Sequence, residues 1–413
     1  MNQRTEVPSR NESSGDAATS LPRPSRAEGY VGHALPQGFV AGMPSEKGYA
    51  LEVHSELDAL GRLESAWRGL VSPEAPPFQT YAWNLAWYRT YSGGRLQPLV
   101  FEMRQGDRTV AILPCYRDGR TLRLAGDRIC DYQDAIASDP LAVEALVAAL
   151  RDWLDGEGRG CSFRFEKLSE EGVLFSVLQD AERASSKLLK FVKSYAPCPY
   201  VDLRGGLEPL LASMPRKRRQ DQRRALNRLR REAPEAQVTI LRESEIRVAD
   251  LWNAATFHIE HFRKRGESPF KDHRLIDFFA RIAAEPEVGM QLGFLTLKDQ
   301  LLAVDFGFVR RGRYYGLLTA FDSARARLAP GKCLLLKRID RWVGEDGVDT
   351  LDFLAGDERY KRRYAGAVDY RVWSMHLMRD DLMGRMRQAG LESNRLVRQV
   401  AKRALVRDDG LAR

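Results

Sequence analysis

The chain has 413 residues, a formal net charge of +9 and a hydrophobic fraction of 44%. That length allows two or three domains of ordinary size, and the composition excludes a collagen-like or wholly disordered chain. The positive charge favours anionic partners. The five cysteines are odd in number and form no C-x-x-C pair, which excludes a disulfide scaffold or a structural zinc site and points to a reducing compartment.

Residues 1–49 are rich in Ser, Pro, Gly and charge, without a sustained apolar period, and read as a disordered tail. The N-terminus lacks the apolar core of a signal peptide. No apolar run approaches the roughly 18 residues a membrane span needs. The expectation is a protein of the cytoplasm, or one peripheral to the inner face of a membrane.

Order begins at "YALEVHSELDAL", which alternates and then turns helical to Leu70. In "TYAWNLAWYRTY", Trp83 and Trp87 stand four apart on one helix face. "LQPLVFEMRQGDRTVAILPCYRDGRTLRLAG" alternates apolar and polar residues, with breaks at Gln105-Gly106-Asp107 and Arg117-Asp118-Gly119. That predicts an antiparallel three-strand meander. "PLAVEALVAALRDWL" is an amphipathic helix, "CSFRFEKL" a strand, "EEGVLFSVLQDAERA" a helix, and "KLLKFVKSYAPCPYVDL" closing strand material.

The second half repeats the order. "LWNAATFHIEHFRKRG" and "DHRLIDFFARIAAE" are helices, and "MQLGFLTLKDQLLAVDFGFVRRGRYYGLLTAF" is again a meander, broken at Lys298-Asp299-Gln300 and Arg311-Gly312. A helix from Pro330-Gly331, the strand "VDTLDFLA" and the strand "YRVWSMHLMR" follow. The matching order indicates an internal duplication. The predicted layout is a domain over 50–205, a basic linker helix over 206–245, a second domain over 246–380, and a basic helix or tail over 381–413. Each domain is α/β (α+β), a mixed, mostly antiparallel sheet flanked by helices.

Between the halves, "MPRKRRQDQRRALNRLRRE" (214–232) is dense in arginine. It is either a solvated linker helix or a surface for phosphates, RNA or lipid head groups. It interleaves no aromatics for base stacking. The chain has no G-x-S-x-G elbow and no Walker A motif. His258 and His261 have a spacing that suits a metal, but no third ligand is evident, so packing or substrate contact is the better reading and no metal is expected.

One constellation carries chemistry. The strand Tyr314–Phe321 leads through "DSARARLAPGK" into the helix at Gly331. A helix N-terminus offers unpaired N–H groups and partial positive charge to an anion, and Arg325, Arg327 and Lys332 surround it. The next strand ends in "LDFLAGDERYKRRYAG", where Asp357, Glu358, Tyr360 and Lys361 meet the surface. Asp305 lies on the middle strand of this half.

These stretches resemble the GNAT acyltransferase superfamily in its CelD-like branch, related to the FemAB aminoacyl transferases. The signature Gly-Asp-Glu-x-Tyr-Lys is carried by Gly356, Asp357, Glu358, Tyr360 and Lys361, with support from the basic 214–232 segment, the second meander and "APGKCLLLKRI". The resemblance covers roughly residues 50–380 and implies tandem GNAT-like domains. It implies acyl transfer from acetyl-CoA or another acyl-CoA to an amine or hydroxyl of a sugar, nucleotide-sugar or cell-envelope precursor such as an exopolysaccharide unit. The donor would contact Arg325, Arg327, Gly331, Lys332 and Cys333. The loop departs from the family's Gln/Arg-x-x-Gly-x-Gly/Ala pattern at Pro330 and Lys332. The departure leaves two further readings open: a FemAB-like enzyme using aminoacyl-tRNA, and a non-catalytic protein in polysaccharide assembly.

Attack on a thioester needs an uncharged nucleophile, hence a base. Glu358 and Asp305 are the candidates, with Asp357 in reserve. Lys361 or a backbone N–H on the splayed strand, where neighbouring strands part, would bind the oxyanion, and Tyr360 would protonate the leaving thiolate. The plainer interpretation is a salt-bridged turn, with Asp357 and Glu358 neutralised by Lys361, Arg362 and Arg363 at helical spacing.

Overall fold

The computed structural model describes residues 40–41, 48–180, 188–263, 268–364, 369–390 and 393. The tail expected over 1–49 lies outside the described residues except at 40–41 and 48–49. The segment expected over 381–413 is described to 390, as helix over 382–390, and at 393.

The first half opens with β1 (Val40–Ala41), β2 (Tyr49–His54), α1 (Leu57–Leu70) and α2 (Tyr81–Tyr91). α2 starts where the Thr80 hydroxyl accepts a hydrogen bond from the Trp83 N–H, an N-cap that satisfies one free amide of the first turn. The meander follows as β3 (Leu96–Gln105), β4 (Arg108–Asp118) and β5 (Thr121–Leu124), turning at the glycines the sequence marked. Then come β6 (Ile136–Ala137), α3 (Pro140–Asp155), β7 (Ser162–Ser169), α4 (Val173–Asp180) and β8 (Leu188–Asp202). The second half holds α5 (Leu207–Ser213), α6 (Arg216–Glu232), β9 (Ala236–Arg242), α7 (Val248–Phe262) and α8 (Arg274–Ala283). After these come β10 (Met290–Leu297), β11 (Gln300–Arg310), β12 (Arg313–Phe321), α9 (Pro330–Glu345), β13 (Thr350–Asp352) and β14 (Asp369–Arg379).

The strands form one continuous mixed sheet in the order β1-β2-β3-β4-β5-β7-β14-β8-β13-β12-β11-β10-β9, with β6 beside β4. Neighbours are antiparallel except β5 with β7 and β12 with β13. Two placements differ from the sequence-based layout. The 206–245 segment is more than a linker helix, because β9 within it is the edge strand beside β10. The last strand, β14, lies between β7 and β8 in the sheet of the first half. Strand order in space is set by long-range pairing, which residue order along the chain does not encode.

Helices cover both faces. α1, α2, α7 and α8 share one apolar layer that runs across both halves. Trp83, fully buried on α2, meets Phe278 of α8 edge-on at 4.9 Å and Phe308 of β11 at 5.2 Å. α3 and α4 cover the other face of the first half, and α5, α6 and α9 that of the second. Polar ties reinforce the seam: Arg310 donates to the Ala75 carbonyl at 2.8 Å, and the Ala82 N–H donates to Glu287 at 2.7 Å. The tryptophan stripe predicted on α2 is therefore core, and its partners lie mostly in the other half.

β12 and β13 pair only over Arg313–Tyr315 and Thr350–Asp352. Beyond that they part. β12 also carries a bulge at Leu317, where its register against β11 shifts between Phe306 and Gly307. A bulge bends the strand and re-aims its side chains, here beside the gap.

Candidate functional site

A cavity of about 1030 Å³ occupies this gap. Pro330, Gly331, Lys332, Leu334 and Leu335 of α9 line it on one face of the sheet, and Leu275 and Phe279 of α8 with His258, His261 and Phe262 of α7 line it on the other. The cavity thus passes through the sheet where the parted strands leave an opening. Arg128, Ile129, Asp131, Lys167 and Ala196 of the first half complete its wall.

On the α9 side, Ala329 adopts a left-handed conformation (φ 51°) that turns the chain into the helix, and no side chain caps the first turn. Pro330 stands at the first helical position, where its missing N–H is no loss. The amides of Gly331 and Lys332 therefore stay free for an anion. The Lys332 ammonium is held below its ordinary pKa by burial and by Arg363. α3, at the corresponding place in the first half, is closed instead: Asp139 caps it by accepting from the Ala142 N–H at 3.0 Å. Of the proposed donor contacts, Gly331 and Lys332 line the cavity and the others do not. Arg325 donates to Gln300 and Arg327 to Glu232, and Cys333 is fully buried beside Leu328. The basic α6 lies alongside: Arg228 donates to the Arg327 carbonyl at 2.7 Å, and Arg218 to the Arg362 carbonyl at 3.3 Å.

Glu358, Tyr360 and Lys361, past the exit of β13, line the cavity with Asp305 of β11. Lys361 is buried, at 4% exposure. Its Nζ pairs with Glu358 at 2.9 Å and donates to the carbonyls of Ala355 at 3.0 Å and Leu354 at 3.4 Å. Gly356 makes room for this pair: a Cβ there would strike the Glu358 carboxylate and lie 2.7 Å from the Lys361 Nζ, and its φ of 142° suits glycine alone. The Glu358 side chain is 56% exposed, so it can exchange lysine for a substrate proton. Tyr360 stands edge-on to Phe353 at 6.0 Å. Desolvation, helped by the Glu358 and Asp305 carboxylates, raises its phenol above the ordinary tyrosine range, so it is protonated at neutral pH. Asp357 turns away, exposed and paired with Arg362 at 2.7 Å. Of the salt-bridged turn weighed from sequence, the pairs Glu358–Lys361 and Asp357–Arg362 are both present, and the first of them borders the cavity.

Asp305 is less free than the sequence suggested. One oxygen accepts from Arg338 and the other from the Tyr314 hydroxyl at 2.6 Å. Arg338 is fully buried, donates to Gln291 at 2.8 Å and lies over the rings of Tyr314 and Trp342. Gly293 leaves the space this ion pair fills. Both oxygens of this carboxylate are thus engaged by an arginine and a tyrosine before any substrate arrives. Only the burial of Arg338 was legible, since it stands between Leu334 and Trp342 at helical spacing on the apolar stripe of α9; its partner on β11 was not.

The backbone donors just past β13 are also committed. The N–H groups of Phe353 and Gly356 donate to the Pro199 and Pro197 carbonyls, that of Leu354 to Asp352 at 2.8 Å, and that of Ala355 to Asp131 at 2.9 Å. Asp131 in turn lies 3.0 Å from the Lys167 ammonium. Leu354, at φ 55°, holds a left-handed conformation that these contacts fix. Asp352 is fully buried, accepts from the Tyr132 hydroxyl at 2.9 Å and pairs with Arg313 at 3.2 Å. Burial pushes its pKa up to about 6 even so. Neither Asp131 nor Asp352 stood out in the sequence, because each finds its partners across the fold.

His258 and His261 both face the cavity, yet each engages a different neighbour. The Nδ1 of His258 bonds Ser268 at 2.9 Å, and that of His261 donates to the Phe321 carbonyl at 2.7 Å. Burial and His261 push the His258 pKa down to about 4, so its ring is neutral at pH 7. Among the described residues, the one cluster of metal-ligand type is Glu52, His54 and Glu102. Arg104 already supplies positive charge there, 3.5 Å from Glu52 and 3.0 Å from Glu102. The five cysteines are free thiols. No helix among the described residues is long and apolar enough to cross a membrane.

Residues 216–362 match the family model of the acetyltransferase (GNAT) domain. No curated protein matches the sequence. Among solved structures, FemX is similar at 10% identity and a TM-score of 0.52, over 81% of this chain and 98% of that one. L-PGS from Bacillus licheniformis is similar at 13% identity and a TM-score of 0.50, over 84% and 96%. A tandem GNAT protein from the clavulanic acid biosynthesis pathway gives 13% identity and a TM-score of 0.46, over 79% of this chain and 98% of that one. At such identities the likeness is one of fold.

Proposed function

We propose that this chain, whose fold is that of the GNAT superfamily and related to the FemAB proteins, is an acyltransferase of the CelD-like branch. It takes an acyl group from acetyl-CoA or another acyl-CoA and passes it to an amine or hydroxyl of a sugar, nucleotide-sugar or cell-envelope precursor. The observation that carries the reading is the cavity through the sheet, with uncapped α9 amides and Lys332 at one side and Glu358, Tyr360 and Lys361 at the exit of β13. Donor phosphates rest on the Gly331 and Lys332 amides. The acyl carbon enters the opening between β12 and β13, and the acceptor approaches from the first half.

In the transfer, the acceptor nitrogen or oxygen bonds to the acyl carbon, and Glu358 takes the proton the nucleophile gives up. The oxyanion draws on Lys361, whose ammonium can trade the weak Leu354 contact for it. The C–S bond then breaks, and Tyr360 protonates the departing thiolate. Asp305 holds Arg338 and Tyr314 in place at the wall.

The test is CoA release from acetyl-CoA with amino-sugar nucleotides as acceptors. Glu358→Gln and Lys361→Ala should each lower kcat by about 100-fold or more, the range for general acid–base groups, with little change in donor affinity. Equal activity in all three proteins would remove these residues from the mechanism.

A second reading, with aminoacyl-tRNA as donor, is favoured by the position of α6. Its exposed Arg216, Lys217, Arg218, Arg223 and Arg224 adjoin the α9 mouth. RNA binding there would weaken steeply with salt, and neutralising Arg218, Arg219, Arg223 and Arg224 would abolish it. Calorimetric titration with acetyl-CoA separates the two: heat of binding supports the first, and its absence moves the weight to the second.

A further inference from the structure

The three carboxylates of the cavity each have a cation of their own. Asp131 has Lys167, Asp305 has Arg338, and Glu358 has Lys361. Three lining cations remain, Arg128, Lys332 and Arg363, and none of them makes a side-chain hydrogen bond or ion pair among the described residues. Lys332 and Arg363 stand close enough for their charges to act on each other, at the α9 side where the donor's phosphates would lie. Arg128 stands apart from them. It belongs to the first half, on the segment between β5 and β6.

That segment is a rigid mount. In the first half, β5 and β7 run parallel over Thr121–Leu122 and Ser162–Phe163 only and then part, as β12 and β13 do in the second. Here the chain itself fills the opening. The Ile129 and Cys130 N–H groups donate to the Gly126 carbonyl. Asp127 accepts from the Tyr116 hydroxyl at 2.9 Å, and Lys167 donates to the Cys130 carbonyl at 2.9 Å. Gln133 bridges to β7 at Leu168 and donates to the Ala125 carbonyl at 2.8 Å. Asp127 and Cys130 are buried and Ile129 half-buried, while Arg128 itself is exposed on the wall of the cavity. An arginine fixed at its base, near enough to Asp272 for its charge to be felt there but in no ion pair with it, is prepared to form a two-pronged contact with a carboxylate or phosphate.

We propose that Arg128 reads an anionic group on the acceptor, so that the substrate is an amine or alcohol carrying a carboxylate or phosphate away from its nucleophile. This rests on the acyltransferase reading for the word acceptor, but the contact can be measured without turnover. The plug of the first half and the specificity element of the second are then the same stretch of chain.

Binding of glucosamine, glucosamine 6-phosphate and muramic acid to the full chain is measured by calorimetry, for wild type, Arg128→Gln and Arg128→Lys. All three probes present the same amine, and the last two separate phosphate from carboxylate. One or both anionic probes should bind wild type about tenfold or more tighter than glucosamine, the scale of a charge-assisted hydrogen bond. Arg128→Gln should erase that preference, and Arg128→Lys should keep part of it. Equal binding of charged and neutral probes by wild type overturns the inference, as does a preference that survives in Arg128→Gln. Acyl transfer is followed in parallel with acetyl-CoA. A protein that shows the Arg128-dependent preference but transfers nothing refutes the acyltransferase reading while the anion contact stands.

Discussion

Replacing Arg338 with methionine gives the sharpest test of how the cavity wall is built. The guanidinium is fully buried and serves Asp305, Tyr314 and Gln291 together. Methionine fills much of the volume but leaves the Asp305 carboxylate, 12% exposed, without its cation. Removing one partner of a buried ion pair costs about 3–5 kcal/mol, because the other charge stays desolvated. Arg338→Met should therefore lose about that much in urea denaturation at pH 7. Adding Asp305→Asn removes the stranded charge, and the Tyr314 hydroxyl can still donate to the amide oxygen, so the double variant should be more stable than Arg338→Met alone. Asp305→Asn by itself strands Arg338 and should be comparably unstable. The reasoning is refuted if Arg338→Met stays within about 1 kcal/mol of wild type, or if the double variant is no better than it. An Asp305→Asn protein of unchanged stability that has lost transfer would make this carboxylate the base and Glu358 its bystander.

Gly356→Ala should abolish transfer while leaving the rest of the fold intact, because the new methyl displaces both members of the Glu358–Lys361 pair; activity near wild type would show that the pair need not be so placed. Asp352 gives a pH dependence whose sign follows from its raised pKa. The folded state holds this proton up to about pH 6 and the unfolded state releases it near 3.9, so stability falls as pH rises through that window. The full penalty, about 3 kcal/mol at 1.36 kcal/mol per pH unit, is present above it. Relative to Asp352→Asn, wild type should lose ground between about pH 4 and pH 6, and a flat difference would refute the assignment. Trp83→Ala should cost about 3–5 kcal/mol and loosen both halves at once, seen as a single earlier transition in circular dichroism; a loss confined to the first half would contradict the shared layer.

The elements themselves were readable where local chemistry sets them. The meander turns at Gly106, Gly119 and Gly312 and the start of α9 at Pro330 follow from residues that permit few alternatives. Fragments of the site were readable for the same reason, since Gly356, Glu358 and Lys361 are neighbours in sequence and meet through a local turn. What could not be read is what the fold brings from afar. Arg338 reaches Asp305 across 33 residues, Asp131 reaches Ala355 across 224, and both decide which groups in the cavity are free to react. Arg325, Arg327 and Cys333 show the complementary case, since none of them lines the cavity. They are close to Gly331 along the chain, but the short turn at Ser323–Leu328 and the helix that follows point them elsewhere.

The insertion of β14 between β7 and β8 has a consequence for how the polypeptide comes to be folded. A ribosome releases the chain from its N-terminus, so β7 and β8 emerge long before the strand that joins them. Until Asp369–Arg379 has been made, the first half carries two unsatisfied strand edges, the kind of surface on which nascent chains aggregate. A truncation ending before residue 369 should therefore yield neither half as a soluble product, and the two halves cannot be cut apart into independent modules.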